Sequence, residues 1–369
     1  LPLGEQETLH HPTIRLLIAA SGTGGHLFPA IALADQLRDY QIEWLGVPDR
    51  LDRELVPSQY PLHTISVEGF QTGFGLGTVR IFGRLVGSIL KVRQLLKNGN
   101  FDGVFTTGGY IAAPAIIAAR MQGLPVILHE SNAIPGKVTR MLSPFCSSVA
   151  LGFASTDKYL PKVKTVYAGT PVRSKFYSPQ PLDLPIPDDV PLIVVVGGSQ
   201  GAIAVNQLVR QCAPTWLEAG AWIVHLTGEK DSEAQSLQHP HYFPMPFYQN
   251  MAGLLQRANL AVSRAGSGTL TELAMTQTPA ILIPYPYAAE DHQAYNAASF
   301  VNTGAALVFR QSELTPELLE SKVSHLLRSP EVLHNMSQKA ADLAVTDSAE
   351  RLANLVRQQI EQKAKKTKG

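Results

Sequence analysis

Cysteine is almost missing from this 369-residue sequence. The two present, Cys146 and Cys212, lie in different halves with no metal-ligand spacing, which excludes a disulfide scaffold and a zinc cluster. They read as buried free thiols of a reducing compartment. An excess of either charge is also missing: 31 Lys and Arg face 30 Asp and Glu, a net charge of +1. That balance argues against a nucleic-acid binder working through bulk basicity. No N-terminal stretch has the basic-then-apolar form of a signal peptide, and no apolar run reaches the length of a membrane span. The expectation is a soluble cytoplasmic chain that meets a membrane, if at all, only through its surface.

Hydrophobic residues make up 45% of the chain and charged residues 17%, a composition that folds, and the length suits two α/β domains better than one core. Twice an apolar run of strand character ends in a glycine turn that opens a helix. Residues 14–20 run into Ser21-Gly22-Thr23-Gly24-Gly25-His26, and residues 192–196 run into Gly197-Gly198-Ser199-Gln200-Gly201-Ala202. A buried parallel strand feeding a glycine-rich helix start presents backbone N–H groups and a positive dipole end to an anion.

Between these landmarks strands and helices alternate, which predicts parallel sheets with right-handed crossovers. Further strands are expected at 41–46, 103–107, 125–129, 222–227, 260–263 and 280–284, with helices at 29–38, 114–122, 314–327 and 348–363. Residues 177–191 hold Pro179, Pro181, Pro185, Pro187 and Pro191 and read as a linker. The predicted division is a disordered leader at 1–12, an N-terminal Rossmann-like domain at 13–176, the linker at 177–191 and a C-terminal Rossmann-like domain at 192–345. A helix and basic tail at 346–369 follow, the helix crossing back to the N-terminal domain and the lysine-rich end frayed.

Four stretches carry chemistry. His26 sits on a glycine loop at a strand's C-terminal end, beside Pro29 in an expected first helical turn. That is the place for a general base, though a glycine turn of this kind also occurs without a ligand. Ser263-Arg264-Ala265-Gly266-Ser267-Gly268-Thr269-Leu270-Thr271-Glu272 ends a strand and opens a helix. Thr269 and Glu272 fit a capping box, while the same loop can hold a diphosphate with Glu272 on ribose hydroxyls. In Asp291-His292-Gln293-Ala294-Tyr295-Asn296, Gln293 and Asn296 share a helix face suited to sugar hydroxyls, or Asp291 simply caps a polar helix start. Residues 74–93 are too apolar for one buried stripe and are interrupted by Arg80, Arg84, Lys91 and Arg93, which fits a core helix with a basic face or a membrane contact.

The ordered set of residues 22–26, 107–110, 129–132, 169–173, 197–202, 263–272 and 291–296 resembles the MurG family of GT-B glycosyltransferases, collinearly from about residue 13 to 345. Single motifs are shared with other GT-B enzymes; the ordered set is specific. The resemblance implies an α/β fold of GT-B type, two Rossmann-like doubly wound parallel-sheet domains facing across a cleft. It implies a metal-independent, inverting transfer of N-acetylglucosamine from UDP-N-acetylglucosamine to the muramyl 4-hydroxyl of lipid I, giving lipid II for peptidoglycan, and with it a part in cell shape and division. The lack of any Asp-x-Asp stretch agrees with transfer without a metal, and no cofactor is expected.

By resemblance the donor site takes Thr23, Gly24, Gly25, Asn132, Arg173, Ser199, Phe247, Tyr248, Ser267, Gly268, Thr269, Glu272 and Gln293. Backbone near Tyr248 would read the uracil, Glu272 the ribose and Gln293 the sugar, with Asn132 reaching across the cleft. The acceptor side takes His26, Gly108, Gly109, Tyr110, His129 and Glu130, with the loops at Gly24-Gly25 and Gly108-Gly109 serving its diphosphate. His26 falls at the position of the base or of an acceptor-site group. Residues 74–93, helped by Lys137 and Arg140, would dock on anionic lipid at the cytoplasmic face of the bacterial inner membrane, where cell-wall synthesis proteins are possible partners. Ala294 departs from relatives with a second glutamine there, and the leader has no counterpart. A UDP-N-acetylglucosamine 2-epimerase and a non-catalytic membrane tether are the rival readings. A nicotinamide oxidoreductase is disfavoured, because neither glycine turn has the full dinucleotide fingerprint.

Overall fold

Strand β1 (Arg15–Ala19) buries Leu16, Leu17, Ile18 and Ala19 completely, and β8 (Leu192–Val196) is apolar and buried along its whole length. Strands without polar alternation require helices on both faces of their sheet, and that requirement organises the molecule. The computed structural model describes residues 13–48, 52–67, 76–198 and 201–368. The expected leader at 1–12 therefore lies outside the described residues, as do Phe74, Ser199 and Gln200.

After β1 the first half runs through α1 (Gly24–Gln36), β2 (Gln41–Gly46), α2 (Asp52–Leu55), β3 (Leu62–Thr64), α3 (Leu76–Asn98), β4 (Gly103–Thr106) and α4 (Ala112–Met121). It continues with β5 (Val126–Glu130), α5 (Lys137–Leu142), β6 (Ser148–Leu151) and β7 (Thr165–Tyr167). These strands form one parallel sheet in the order β3-β2-β1-β4-β5-β6-β7. The second half adds to β8 the elements α6 (Ile203–Glu218), β9 (Trp222–Leu226), β10 (Tyr242–Met245), α7 (Met251–Arg257), β11 (Leu260–Ser263) and α8 (Ser267–Met275). It closes with β12 (Ala280–Leu282), α9 (His292–Thr303), β13 (Ala306–Val308), α10 (Pro316–Leu327), α11 (Pro330–Ala341) and α12 (Ser348–Lys368). Its parallel sheet runs β10-β9-β8-β11-β12-β13. In both sheets the order reverses beside the first strand, and the crevice at such a switch point, outside the strands' carboxyl ends, is where ligands bind in this architecture.

The structure corrects four local expectations. Helix α1 begins at Gly24, not at residue 29, so Pro29 lies inside it and His26 in its first turn. The capping box is not made: Gly266 is the N-cap of α8, which places Thr269 and Glu272 inside the helix. Asp291 precedes α9 without a side-chain cap bond and instead holds Arg310 through two hydrogen bonds of 2.8 and 2.7 Å. The lysine-rich end is helical to Lys368 rather than frayed.

The proline-rich stretch is fastened to the C-terminal core. Phe176 and Ile186 are buried in that core, Arg257 donates to the Val190 carbonyl at 2.7 Å, and the Gln180 N–H donates to Gln256 at 2.8 Å. Helix α12 packs on α1, burying Leu352, Val356 and Ile360 in the N-terminal core, and Arg357 grips Asp39 with two hydrogen bonds of 2.6 Å. The last helix thus completes the first domain.

Candidate active site

The carboxyl ends of β1 and β4 lie side by side, Ala19 opposite Thr106, so the loops that follow them share one lip of the first sheet. From this lip rises His26. Its Nδ1 lies 2.8 Å from the Thr107 carbonyl oxygen, which can only accept, so Nδ1 carries the proton and Nε2 is left as the basic nitrogen. Nε2 faces Gly109, where an added Cβ would come within 3.9 Å of it, and Gly109 itself holds a φ of +72° that few other residues adopt. Asp52 braces the same lip: fully buried, it accepts from the Gly22 N–H at 3.0 Å and from the Val47 N–H at 2.8 Å. The sequence reading missed Asp52, whose only local signal is an acid just after the second strand.

Opposite stands the second sheet's lip. Val196 pairs with Ser263 and its carbonyl accepts from the Arg264 N–H at 3.1 Å, so the two strands end side by side. Gly201 has a φ of +73° and lies so close to β9 that a Cβ would meet the Thr227 carbonyl at 2.5 Å. The first-turn amides of α8, at Ser267, Gly268 and Thr269, receive no side-chain cap. A Cβ at Gly268 would lie 3.7 Å from Gly25 Cα, so the N-terminal ends of α8 and α1 meet across the cleft. Thr23, Gly24 and Gly25 are therefore shared between the two lips rather than belonging to one.

Arg173 ties the lips together. Its Nη2 donates to Glu272 Oε1 at 3.0 Å, and its guanidinium lies 4.4 Å from the ring centre of Phe28 on α1. Burial pushes the Glu272 carboxyl up, and the charge and hydrogen bond of Arg173 oppose that rise. Gln293 uses its carbonyl oxygen to accept from the Ala265 N–H at 3.2 Å and the Tyr285 N–H at 2.9 Å, which leaves its amide nitrogen to donate elsewhere. Phe247 is exposed beyond β10, while Tyr248 packs against the C-terminal core.

Two residues expected on the acceptor do not face it. Glu130 is buried: one oxygen accepts from the Asn132 N–H at 3.0 Å and the other from the Gly136 N–H at 3.1 Å and the Thr139 hydroxyl at 2.7 Å. It shapes the loop that carries Asn132. His129 is fully buried, with Nε2 donating to the Gly169 carbonyl at 2.9 Å, and burial pushes its imidazole down, so it stays neutral. Gly108 and Tyr110 do lie at the lip, Tyr110 being exposed. Asn296, expected beside Gln293 on a sugar, is instead fully buried between the domains. Behind the second lip lies a network that sequence reasoning missed. His225 bonds Tyr242 at 2.8 Å and Asn206 at 3.0 Å, Asn206 donates to Asp231 at 2.7 Å, and Arg210 donates to the same carboxylate at 2.7 Å.

Paired Rossmann-type sheets with two helix N-termini meeting in the cleft between them are the architecture of a GT-B glycosyltransferase. Residues 16–151 match the glycosyltransferase family 28 N-terminal domain and residues 192–352 the family 28 C-terminal domain. The chain belongs to the family of UDP-N-acetylglucosamine–N-acetylmuramyl-(pentapeptide) pyrophosphoryl-undecaprenol N-acetylglucosamine transferases. It is 69% identical to the member from Rippkaea orientalis over 93% of this chain and 97% of that one. It is 67% identical to the member from Trichodesmium erythraeum over 95% and 94%. Among solved structures it superimposes on Acinetobacter baumannii MurG with a TM-score of 0.74 at 30% identity, covering 94% of this chain and all of that one.

Proposed function

We propose that the chain transfers N-acetylglucosamine from UDP-N-acetylglucosamine to the 4-hydroxyl of the muramyl sugar of lipid I, giving lipid II, with the nucleotide on the second lip and the acceptor on the first. The observation that carries the reading is the meeting of the α1 and α8 N-termini beside His26. The acceptor oxygen attacks the anomeric carbon from the face opposite UDP. A C–O bond forms there as the bond to the diphosphate breaks, and the configuration inverts. Nε2 of His26 takes the hydroxyl proton, while the bond from Nδ1 to Thr107 holds the ring in that tautomer. The diphosphate leaves as an anion, and uncapped amides at the start of α8, with Arg173 alongside, stabilise the charge that develops on it. Glu272 takes the ribose, Gln293 and Asn132 the sugar, and backbone near Tyr248 the base.

Lipid I is tethered to a membrane, and the N-terminal domain offers a surface for one. No helix among the described residues is long and apolar enough to cross a bilayer. Helix α3 exposes Phe82, Val86 and Leu90 at four-residue spacing, and Met121, Met141 and Phe145 are exposed on the neighbouring elements. With the exposed cations Arg93 and Lys137, this face suits peripheral docking on anionic lipid. Two other cations are already engaged: Arg140 pairs with Glu290 across the cleft, and Lys91 donates to the Thr64 carbonyl at 3.0 Å.

The test is to incubate the protein with labelled UDP-N-acetylglucosamine and lipid I, with and without EDTA. The expected outcome is label in lipid II in both arms. Conversion of the donor without lipid I would instead identify an epimerase. His26→Ala is expected to lower kcat by about 10²–10⁴-fold while leaving donor affinity within about threefold. Unchanged turnover in a folded variant would remove His26 from the role of base.

A further inference from the structure

Asn296 is fully buried, and all three of its side-chain hydrogen bonds run to backbone or to another amide. Its Oδ1 accepts from the Ala133 N–H at 2.8 Å, and its Nδ2 donates to Asn132 Oδ1 at 3.1 Å and to the Ala265 carbonyl at 3.2 Å. Both amide hydrogens are used, so Asn296 has none left to donate to a sugar. Two of its partners belong to the N-terminal domain, while Ala265 immediately precedes the N-cap of α8. One side chain therefore joins the rim of the expected nucleotide site to the loop of the opposite domain.

Asn132 is held from two sides. Its Nδ2 donates one hydrogen to Glu130 Oε1 at 3.2 Å, and its Oδ1 accepts from Asn296. Those contacts fix which end of the carboxamide is oxygen and leave one amide hydrogen and one lone pair for a ligand. Without Asn296 the amide is anchored only within its own domain. The Arg140–Glu290 ion pair closes the cleft at a second point, and Glu290 lies six residues before Asn296.

We propose that Asn296 is a positioning residue: it sets the Asn132 carboxamide for the donor sugar only when the two domains are closed, so that sugar recognition and closure are one event. The inference rests on the assignment of Asn132 to the donor sugar. It predicts a separation between nucleotide and sugar recognition. The UDP part meets the C-terminal domain and the backbone amides at the start of α1, none of which Asn296 aligns, whereas the sugar meets a group that it does. A misaligned clamp should also admit water and let the donor be hydrolysed.

The experiment compares N296A, N132A and the double variant by calorimetric binding of UDP and of UDP-N-acetylglucosamine, and by the ratio of transfer to donor hydrolysis. For N296A the expected result is UDP affinity within about threefold of wild type and kcat lowered about 10–100-fold, with a larger hydrolysed share. The double variant should match N132A within about twofold, because the two residues act through one contact. N296D keeps the volume and the acceptor for Ala133, but sets an oxygen against Asn132 Oδ1 and the Ala265 carbonyl. It should show the same separation, and it serves if N296A does not fold. Equal loss of UDP and UDP-N-acetylglucosamine affinity, or additive effects in the double variant, would overturn the proposal. A neutral N132A would overturn the assignment of Asn132 beneath it. An impaired N132A beside a neutral N296A would sink this inference alone.

Discussion

Glu272 lies under opposing influences. Burial favours its neutral form, and the Arg173 guanidinium at 3.0 Å favours the charged one. Glu272→Ala removes the proposed ribose ligand and leaves Arg173 without its partner. Steady-state kinetics at saturating lipid I should show the donor KM raised about 10–100-fold and kcat changed much less. His225 makes a different prediction. It is fully buried and its pKa is pushed down to about 3, by burial first and by Arg210 second. An unfolded chain binds a proton on this residue near its usual value of 6.5, whereas the folded chain does not. The stability it contributes is therefore complete above about pH 6.5 and drains away as the pH falls toward 3. Thermal melts of wild type between pH 7 and 4 should show a Tm falling with pH, and His225→Gln should flatten that slope while lowering the Tm at pH 7 by roughly 2–4 °C or more.

Among the elements, α3 presents an apolar outer stripe on which Phe82 and Leu90 are 61% and 54% exposed among the described residues. Replacing both with serine should reduce co-sedimentation with anionic vesicles about tenfold or more and leave the Tm unchanged within a degree or two. Strands β1 and β8 were legible because a fully buried parallel strand is a continuous apolar run and a glycine turn ends it. The start of α1 was not. Gly24 and Gly25 read as loop and Pro29 as the first helical turn, yet the His26 and Leu27 N–H groups both bond the Thr23 carbonyl, at 3.0 and 3.1 Å, and wind the first turn before the proline. Strands β3 and β13 hold three residues each, too few for a periodic signal, and exist because a neighbouring strand pairs with them. Residue types at the site were readable in the same way, since glycines, His26 and Glu272 stand in local patterns. The role of Asn296 was not, because its partner Asn132 is 164 residues away and nothing near it in sequence records the contact.

At the scale of the whole molecule the chain passes between domains twice, through the stapled residues 177–191 and again on the way into α12. Because α12 completes the N-terminal core, Leu352→Ala and Val356→Ala should each destabilise that domain by about 2–5 kcal/mol. Calorimetry of the ligand-free protein should place the lost enthalpy in the transition of the N-terminal sheet, on which α12 packs, and leave that of the C-terminal sheet in place. The meeting of Gly25 with Gly268 has a consequence of its own. Each marks the start of a helix, and each start carries a partial positive charge of roughly half a proton. Two like poles held this close repel one another when nothing lies between them, and an anion between them turns repulsion into a bridge. In the proposed mechanism the diphosphate is more than cargo: its own negative charge is the fastener that lets the two halves of the molecule stay together around the sugar it delivers.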